Sequence, residues 1–527
     1  MHSKTVSVLL LGATFSLCLA IVFLFFQGGT GLGFLLTVLV AEGSFCSWLW
    51  LPRPRLSALG RSVGQEHADM GIRPGLPLMA FVIVAILDLS FCYFLYDNFI
   101  LKLVGFPVIM GLLVIQYLFA ARVFRHDWDR PGFWTEAALS VIVRPFDGLG
   151  GFGRTVAGLF ARRHVEEADI SRRNGPTTFA KILLGLVLAV PVLLVSGALL
   201  TSADPVFAQL FGAFRDWLSG FFTRDVPVRL LVSLLLLPFV FSFLYSGRNR
   251  PPLIAPSTEQ NPSGYRADKT VLATFLFCVN ALYLVFALVQ LTYLTGAFSA
   301  RLPGHMTYAE YARNGFFELS AVSVVNLGLA VLAVKLTDRN GSSGRIVRIA
   351  SLLLVFFSLI QWGSAMFRMR MYIQAYGLSR LRFFVTAFML LMLVFFAAVV
   401  VKEFRKGFPF FKACAIAAVV SLMLLNHLNP DAWIARTNIH RHTEIGRIDL
   451  TYLDELSSDA VPALFELTDS ADPDIRREVA VQLIDRYKEL IEPDPDHTWQ
   501  ETNLSRIRAE KQLASRLEEL RNITRIG

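Results

Sequence analysis

The chain is short of charge and has no catalytic signature. Charged residues make up 17% of its 527 positions, against roughly 25% in soluble domains. No G-x-x-x-x-G-K-[ST] loop, H-E-x-x-H pair or G-x-S-x-G turn occurs. The usual grounds for proposing a nucleotide hydrolase, a zinc protease or a serine hydrolase are therefore missing. The five cysteines, Cys18, Cys46, Cys92, Cys278 and Cys414, all lie in apolar runs without CxxC spacing. They read as small packing residues rather than as a redox or metal framework. Gly148-x-Gly150-x-x-Gly153 matches a dinucleotide fingerprint in form. No strand precedes it and no βαβ unit surrounds it, so it carries no nucleotide site. No A-x-A cleavage site follows Val6–Phe26, and a second apolar run comes at once. That segment is read as a retained helix rather than a signal peptide. No cofactor is implied.

What the chain has is apolar length. Hydrophobic residues are 54% of the total and the mean hydropathy is +0.53. A protein core cannot hide that much apolar surface, whereas a bilayer accepts it. A span needs about 20 apolar residues. That template predicts an all-α polytopic membrane protein with about eleven spans: Val6–Phe26, Gly31–Leu51, Leu76–Tyr96, Ile100–Ala120, Phe179–Leu200, Val226–Tyr245, Val271–Leu294, Gly315–Val334, Ile346–Phe367, Phe383–Val401 and Phe411–Leu425. Residues 1–427 form the membrane domain and 428–527 a small helical module outside it. From Leu428 onward Asp and Glu outnumber Lys and Arg, so the preceding part is more basic than the net +9 of the whole chain. A basic membrane body does not require nucleic acid as a partner. With Lys4 inside, most basic loops fall on the cytoplasmic side. An odd number of spans then puts the module outside. Arg368, Arg370, Arg380 and Arg382 break the rule by crowding an outer loop.

Two segments read as interfacial helices rather than spans. One, near 131–165, mixes Trp134, Phe146 and Phe152 with Arg144 and Arg154 and is broken at Pro145 and the glycines. It suits a helix pair in the headgroup layer, with Arg meeting anionic lipid. The other, near 203–223, places Phe207, Leu210, Phe211, Phe214, Trp217 and Phe221 near one helical face. In the tail, Asn429-Pro430 and Asp472-Pro473 look like a cap followed by proline at the first helical position. Gly446 closes the first tail helix.

Ionisable groups at membrane depth are costly and face protein or water. Asp88, midway along the third predicted span, is the candidate for a proton or cation site; a hydrogen-bonded packing role is its other reading. Asn280, Gln290, Asn326 and Gln361 read as interhelical hydrogen-bonding residues. The stretch Gln290–Leu319 links two spans through a short polar segment rich in Tyr, Glu and Arg. There Tyr308, Glu310, Tyr311 and Arg313 share a predicted helix, and Glu318 lies one turn into the next span. Gln361, Arg368 and Tyr372 recur at helical spacing in the ninth span, with Arg370 and Arg380 close behind. Together these residues outline a candidate outer-leaflet pocket for an anionic lipid or glycan-phosphate headgroup, since a guanidinium matches phosphate oxygens in a fork. An ion-pair network closing the helix bundle is the alternative. Met366, Met369 and Met371 point in different directions from one helix and read as packing. The spacing of His427, His440 and His442 does not define a metal site.

The segments Thr307-Tyr308-Ala309-Glu310-Tyr311-Ala312-Arg313-Asn314-Gly315-Phe316-Phe317-Glu318-Leu319, Gln290-Leu291-Thr292-Tyr293-Leu294 and Arg370-Met371-Tyr372-Ile373 resemble a bacterial membrane family, domain of unknown function 4173, with 4153 a related family. So do Tyr376-Gly377-Leu378 with Arg380, Asn429-Pro430-Asp431, Asp449-Leu450 and the run Tyr452 to Pro462. The resemblance implies a polytopic bacterial inner-membrane protein and supplies no catalytic residue. Three readings follow. The first is a non-enzymatic sensor, scaffold or accessory subunit whose module engages a protein partner. The second is a transporter or lipid-headgroup translocator using Asp88 and the Glu318/Arg368 cluster. The third is a membrane-embedded transferase acting on lipid-linked substrates. Membrane lipids are partners in all three.

Overall fold

The computed structural model describes residues 3–26, 30–50, 75–124, 131–160, 193, 196–197, 199–202, 204–223, 226–249, 268–298, 316–336, 342–405, 407–491 and 498–526. Among them every regular element is helical. Ten helices among the described residues are long and apolar enough to cross a membrane, which makes this a multi-pass membrane protein. They match ten of the eleven predicted spans. The eleventh, Phe179–Leu200, lies almost wholly outside the described residues. None of the five cysteines forms a disulfide.

The chain divides into two compact units. The first holds α1 (Ser3–Ala20), prolonged by a π-helical turn Ile21–Phe25, then α2 (Leu32–Trp50), α3 (Leu76–Leu95) and most of α4 (Phe99–Ala120). It continues through α5 (Pro131–Asp147), α6 (Leu149–Phe160), α7 (Pro205–Thr223) and α8 (Val226–Asn249). Pro493–Leu504 belongs to this unit too. Gln500 donates to the Phe23 carbonyl (3.2 Å) and the Leu32 amide donates to the Thr502 carbonyl (3.0 Å).

The expected helix pair near 131–165 exists as α5 and α6, with its break at Gly148. Arg144, however, does not face lipid. It is fully buried and bonds Ser140 and Ser246 (3.4 and 3.3 Å). Desolvation disfavours a lone buried guanidinium, and the Ser246 hydroxyl, itself bonded to Asp147 at 2.9 Å, helps to satisfy it. The glycine pattern serves this packing. The Gly148 amide donates to Ser242 Oγ at 2.8 Å, and a Cβ at Gly148 would lie 2.5 Å from the Ser242 carbonyl oxygen. Near 203–223 the amphipathic segment is the helix α7, with Phe207 and Phe211 stacked at 6.0 Å.

The second unit comprises α9 (Lys269–Phe298), α10 (Phe316–Leu336), α11 (Ser342–Tyr376), α12 (Arg380–Phe404) and α13 (Phe410–His427). The tail adds α14 (Pro430–Ile445), α15 (Leu450–Asp454), α16 (Val461–Leu464), α17 (Pro473–Ile491), α18 (Leu504–Ser515) and α19 (Leu517–Ile526). Between α15 and α17 the chain also makes two short 3-10 turns, Ser458–Ala460 and Phe465–Asp469. Tyr96–Leu101 also belongs here.

The membrane helices of this unit pack through small and branched residues, among them Ala330, Ala333, Ala350, Leu354, Phe396 and Val399. Polar side chains bridge them as the spacing predicts. Asn280 donates to the Ala350 carbonyl (2.9 Å), Tyr283 to Asn326 (2.6 Å), and Asn326 to Gln361 (3.2 Å). Within α11, Ile349–Phe367 carries no charged side chain. At about 1.5 Å per residue it covers about 28 Å, close to the hydrocarbon thickness of about 30 Å. Arg368, Arg370, Tyr372 and Tyr376 therefore fall at and beyond one hydrocarbon boundary.

The tail has its own apolar core, built by Ile434, Ile439, Leu453, Leu464, Phe465, Val479, Leu483, Leu513 and Leu520. Leu378, from the turn between α11 and α12, is part of the same core, and Ile373 and Phe383 pack against it. Each such side chain buried contributes about 1.5–3 kcal/mol. The core of the tail is thus continuous with the end of two membrane helices.

Candidate functional site

The turn between α11 and α12 is built to receive another element. Tyr376 ends α11, and Gly377 takes the left-handed conformation at φ +82°, its amide closing on the Ile373 carbonyl at 2.8 Å. Glycine is the usual residue here because it has no Cβ to clash. Space demands it as well: a Cβ would lie 2.6 Å from Asn438 Oδ1. Ser379 then caps α12, its side chain accepting from the Arg382 amide.

Side chains of the tail satisfy the backbone of this turn. Asn438 on α14 accepts from the Leu378 amide and donates to the Leu378 carbonyl, both at 2.8 Å. Tyr452 Oη accepts from the Arg380 amide at 2.7 Å. Arg441 donates to the carbonyls of Gln374 and Ala375 at 3.0 and 2.7 Å. Those are among the last carbonyls of α11, which lack helical partners and carry the negative end of the helix dipole.

An ion pair lies beside these bonds. Arg380 Nε and Nη2 meet the two oxygens of Asp431 at 2.9 and 2.8 Å, a forked geometry. The Asp431 side chain is fully buried, whereas that of Arg380 is 28% exposed. Burial alone would raise the Asp431 carboxyl. Hydrogen bonds from Arg380 and from the Ser457 amide (3.0 Å) outweigh it and hold the group below its ordinary value. Asp459 has the opposite balance. It accepts from the Asp97 amide (2.8 Å), Asn429 (3.2 Å) and Ser457 (3.2 Å). Burial still dominates and pushes its carboxyl upward.

A cavity of about 140 Å³ opens at the same place. Its wall includes Tyr376, Arg382, Arg441, Arg447, Asp449 and Tyr452. Arg382 lies over the Tyr372 ring, 4.1 Å from its centroid, and donates to the Gly377 carbonyl.

The predicted site residues fare unequally. Arg380 and Tyr372 belong to this junction. Gln361 lies in the interhelical relay, Arg368 is buried on α11, and Arg370 is exposed. Glu318 is exposed in the first turn of α10. Its neighbour Leu319 packs with Ala365, Met369 and Met389, which sets that turn at the level of Met369. Tyr308, Glu310, Tyr311 and Arg313 lie outside the described residues. Asp88 is half-buried on α3. Asp431, Asn438 and Arg441 were not among the candidates, although the Asn429-Pro430 signal does put Asp431 in the first turn of a helix. Glu42 was missed as well: it is a buried carboxylate within α2, 2.9 Å from Gln116 Nε2.

Fold and site together define a helical multi-pass membrane protein whose C-terminal helices are tied to the ends of its membrane helices. Residues 82–467 match the family model described as domain of unknown function DUF4153, and the chain belongs to that family. The junction partners Arg380, Asp431, Asn438, Tyr452 and Asp459 all fall inside the matched segment. No curated protein and no solved structure matches the chain.

Proposed function

We propose that this protein is a non-enzymatic scaffold or sensor of the bacterial inner membrane. In this reading the C-terminal module is held rigidly on the membrane helices and presents their position to a protein partner. The observation that carries it is the forked Arg380–Asp431 pair with the two-way Asn438–Leu378 amide bond. Bonds of this kind fix orientation, because a buried charge that loses its partner is strongly penalised. On the eleven-span count the N-terminus is cytoplasmic and the module extracytoplasmic. Kinship with family 4173, suggested by the motifs around Tyr308 and Tyr376, belongs to the same proposal.

Spin labels on the exposed faces of α12 and α17, at Leu390 and Val481, test the rigid attachment. The expected distance distribution is a single narrow peak in the full-length protein. A broad distribution there overturns the reading. A C-terminal reporter active in the cytoplasm overturns the orientation alone.

A further inference from the structure

The cavity at the junction has more donors than the protein uses. Each guanidinium carries five N–H groups. Arg441 spends two of its nitrogens, Nε and Nη2, on α11 carbonyls, and Arg382 spends one, Nη1, on Gly377. Arg447 is exposed and makes no bond to protein among the described residues. Three cations line the wall against one carboxylate, Asp449. One Asp449 oxygen already accepts from the Tyr452 amide at 3.0 Å. Asp431 does not neutralise the wall, because Arg380 holds it in a forked pair.

We propose that this cavity, lined by Arg382, Arg441 and Arg447 with Tyr452, binds a phosphate group. Backbone carbonyls hold two of the three guanidiniums before any ligand arrives, and the Tyr372 ring supports one of them. Preorganisation of this kind lowers the ordering cost of binding. A tetrahedral oxyanion takes several forked guanidinium contacts at once. The volume of about 140 Å³ holds such a group with water to spare. Asp449 leaves one oxygen for a hydroxyl next to the phosphate. The charge-free stretch of α11 ends at Phe367, so Tyr376 lies just beyond the hydrocarbon. Trp433 on α14 is 48% exposed, as suits an interfacial anchor. The phosphate can therefore come from a lipid headgroup at the surface or from a free phosphate compound. The site does not depend on the scaffold reading, which concerns the attachment of the module.

The test uses full-length protein in a phosphate-free detergent and follows hydrogen exchange of the Gly446–Tyr452 amides. One arm titrates inorganic phosphate and another titrates short-chain phosphatidylglycerol; potassium chloride at matched ionic strength is the control. Saturable slowing of exchange by either phosphate probe, and none by chloride, is expected. Slowing by inorganic phosphate assigns a free ligand, and slowing by the lipid alone assigns a headgroup. R447Q removes a side chain with no structural bond. It should raise the apparent Kd about tenfold, the effect of losing one charge-assisted contact, with unchanged thermal stability. Equal effects of chloride and phosphate, no slowing by either phosphate probe, or unchanged affinity in R447Q overturns the proposal.

Discussion

Replacing Arg380 by Met should damage the junction more than replacing Asp431 by Asn, although both changes break one ion pair. In R380M the Asp431 carboxylate stays fully buried and keeps its hydrogen bonds from Ser457. Breaking a buried pair from one side costs about 3–5 kcal/mol. The carboxylate is fully enclosed, so the lower end, about 3 kcal/mol, is a floor. In D431N the leftover charge is Arg380, 28% exposed, which can turn towards water. The loss there is nearer that of a hydrogen bond to a charged group, about 1.5–3 kcal/mol. The assay is hydrogen exchange of the α14 amides in detergent, where about 3 kcal/mol appears as roughly 150-fold faster opening. The double variant R380M/D431N should exchange more slowly than R380M, because no buried charge remains. Equal effects of the two single changes, or strict additivity in the double variant, would refute the argument from burial.

Acid should loosen the same junction. The Asp431 carboxyl lies below its ordinary value in the folded protein, so the folded state binds fewer protons there than the unfolded state. That contribution is complete above the unfolded value of about 3.9 and fades as pH falls through the lower folded value. Exchange of α14 should accelerate below about pH 4 in the wild type, and D431N should lose that acceleration. G377A forces a side chain into the left-handed region and against Asn438. It should lower stability by at least about 1 kcal/mol, read as a lower thermal midpoint, while Gly150, with open space around its Cβ position, should tolerate alanine with only the change in helix propensity. E42A leaves the buried Gln116 amide without its acceptor and should cost about 1–3 kcal/mol in thermal stability, whereas E42Q should cost less.

The membrane part of the fold was legible because the bilayer imposes one rule on every span. Even the short Phe411–Leu425 segment is a full helix, reaching from Phe410 to His427. Local chemistry was legible in the tail too. Gly446 ends α14 at φ +74°. Pro430 takes the first turn of α14 as expected, but Asn429 does not cap it. Asn429 sits at φ +47° and spends its amide on Asp459 instead. A bond to a residue 30 positions away outcompeted the local one. The end of the tail breaks at Arg516 into α18 and α19.

Pairings across the chain were beyond periodicity. Arg380 and Asp431 are 51 residues apart, and nothing in either neighbourhood names the other. Some of the motifs that carry the family resemblance meet in space: Arg380, beside Tyr376-Gly377-Leu378, bonds Asp431 and Tyr452. Arg144 misled for a related reason. An arginine on an amphipathic helix normally faces headgroups, and the hydroxyls of Ser140 and Ser246 help this one to turn inward.

The most direct measurement is site-resolved hydrogen exchange of three amides, those of Leu378, Arg380 and Ser457, which donate to Asn438, Tyr452 and Asp431. If the module and the membrane helices form one joined structure, the three exchange slowly, at the rate of the α14 core, and accelerate together in R380M. Rapid exchange at Leu378 and Arg380 while α14 stays protected would mean that the module folds without being held by the helices beneath it.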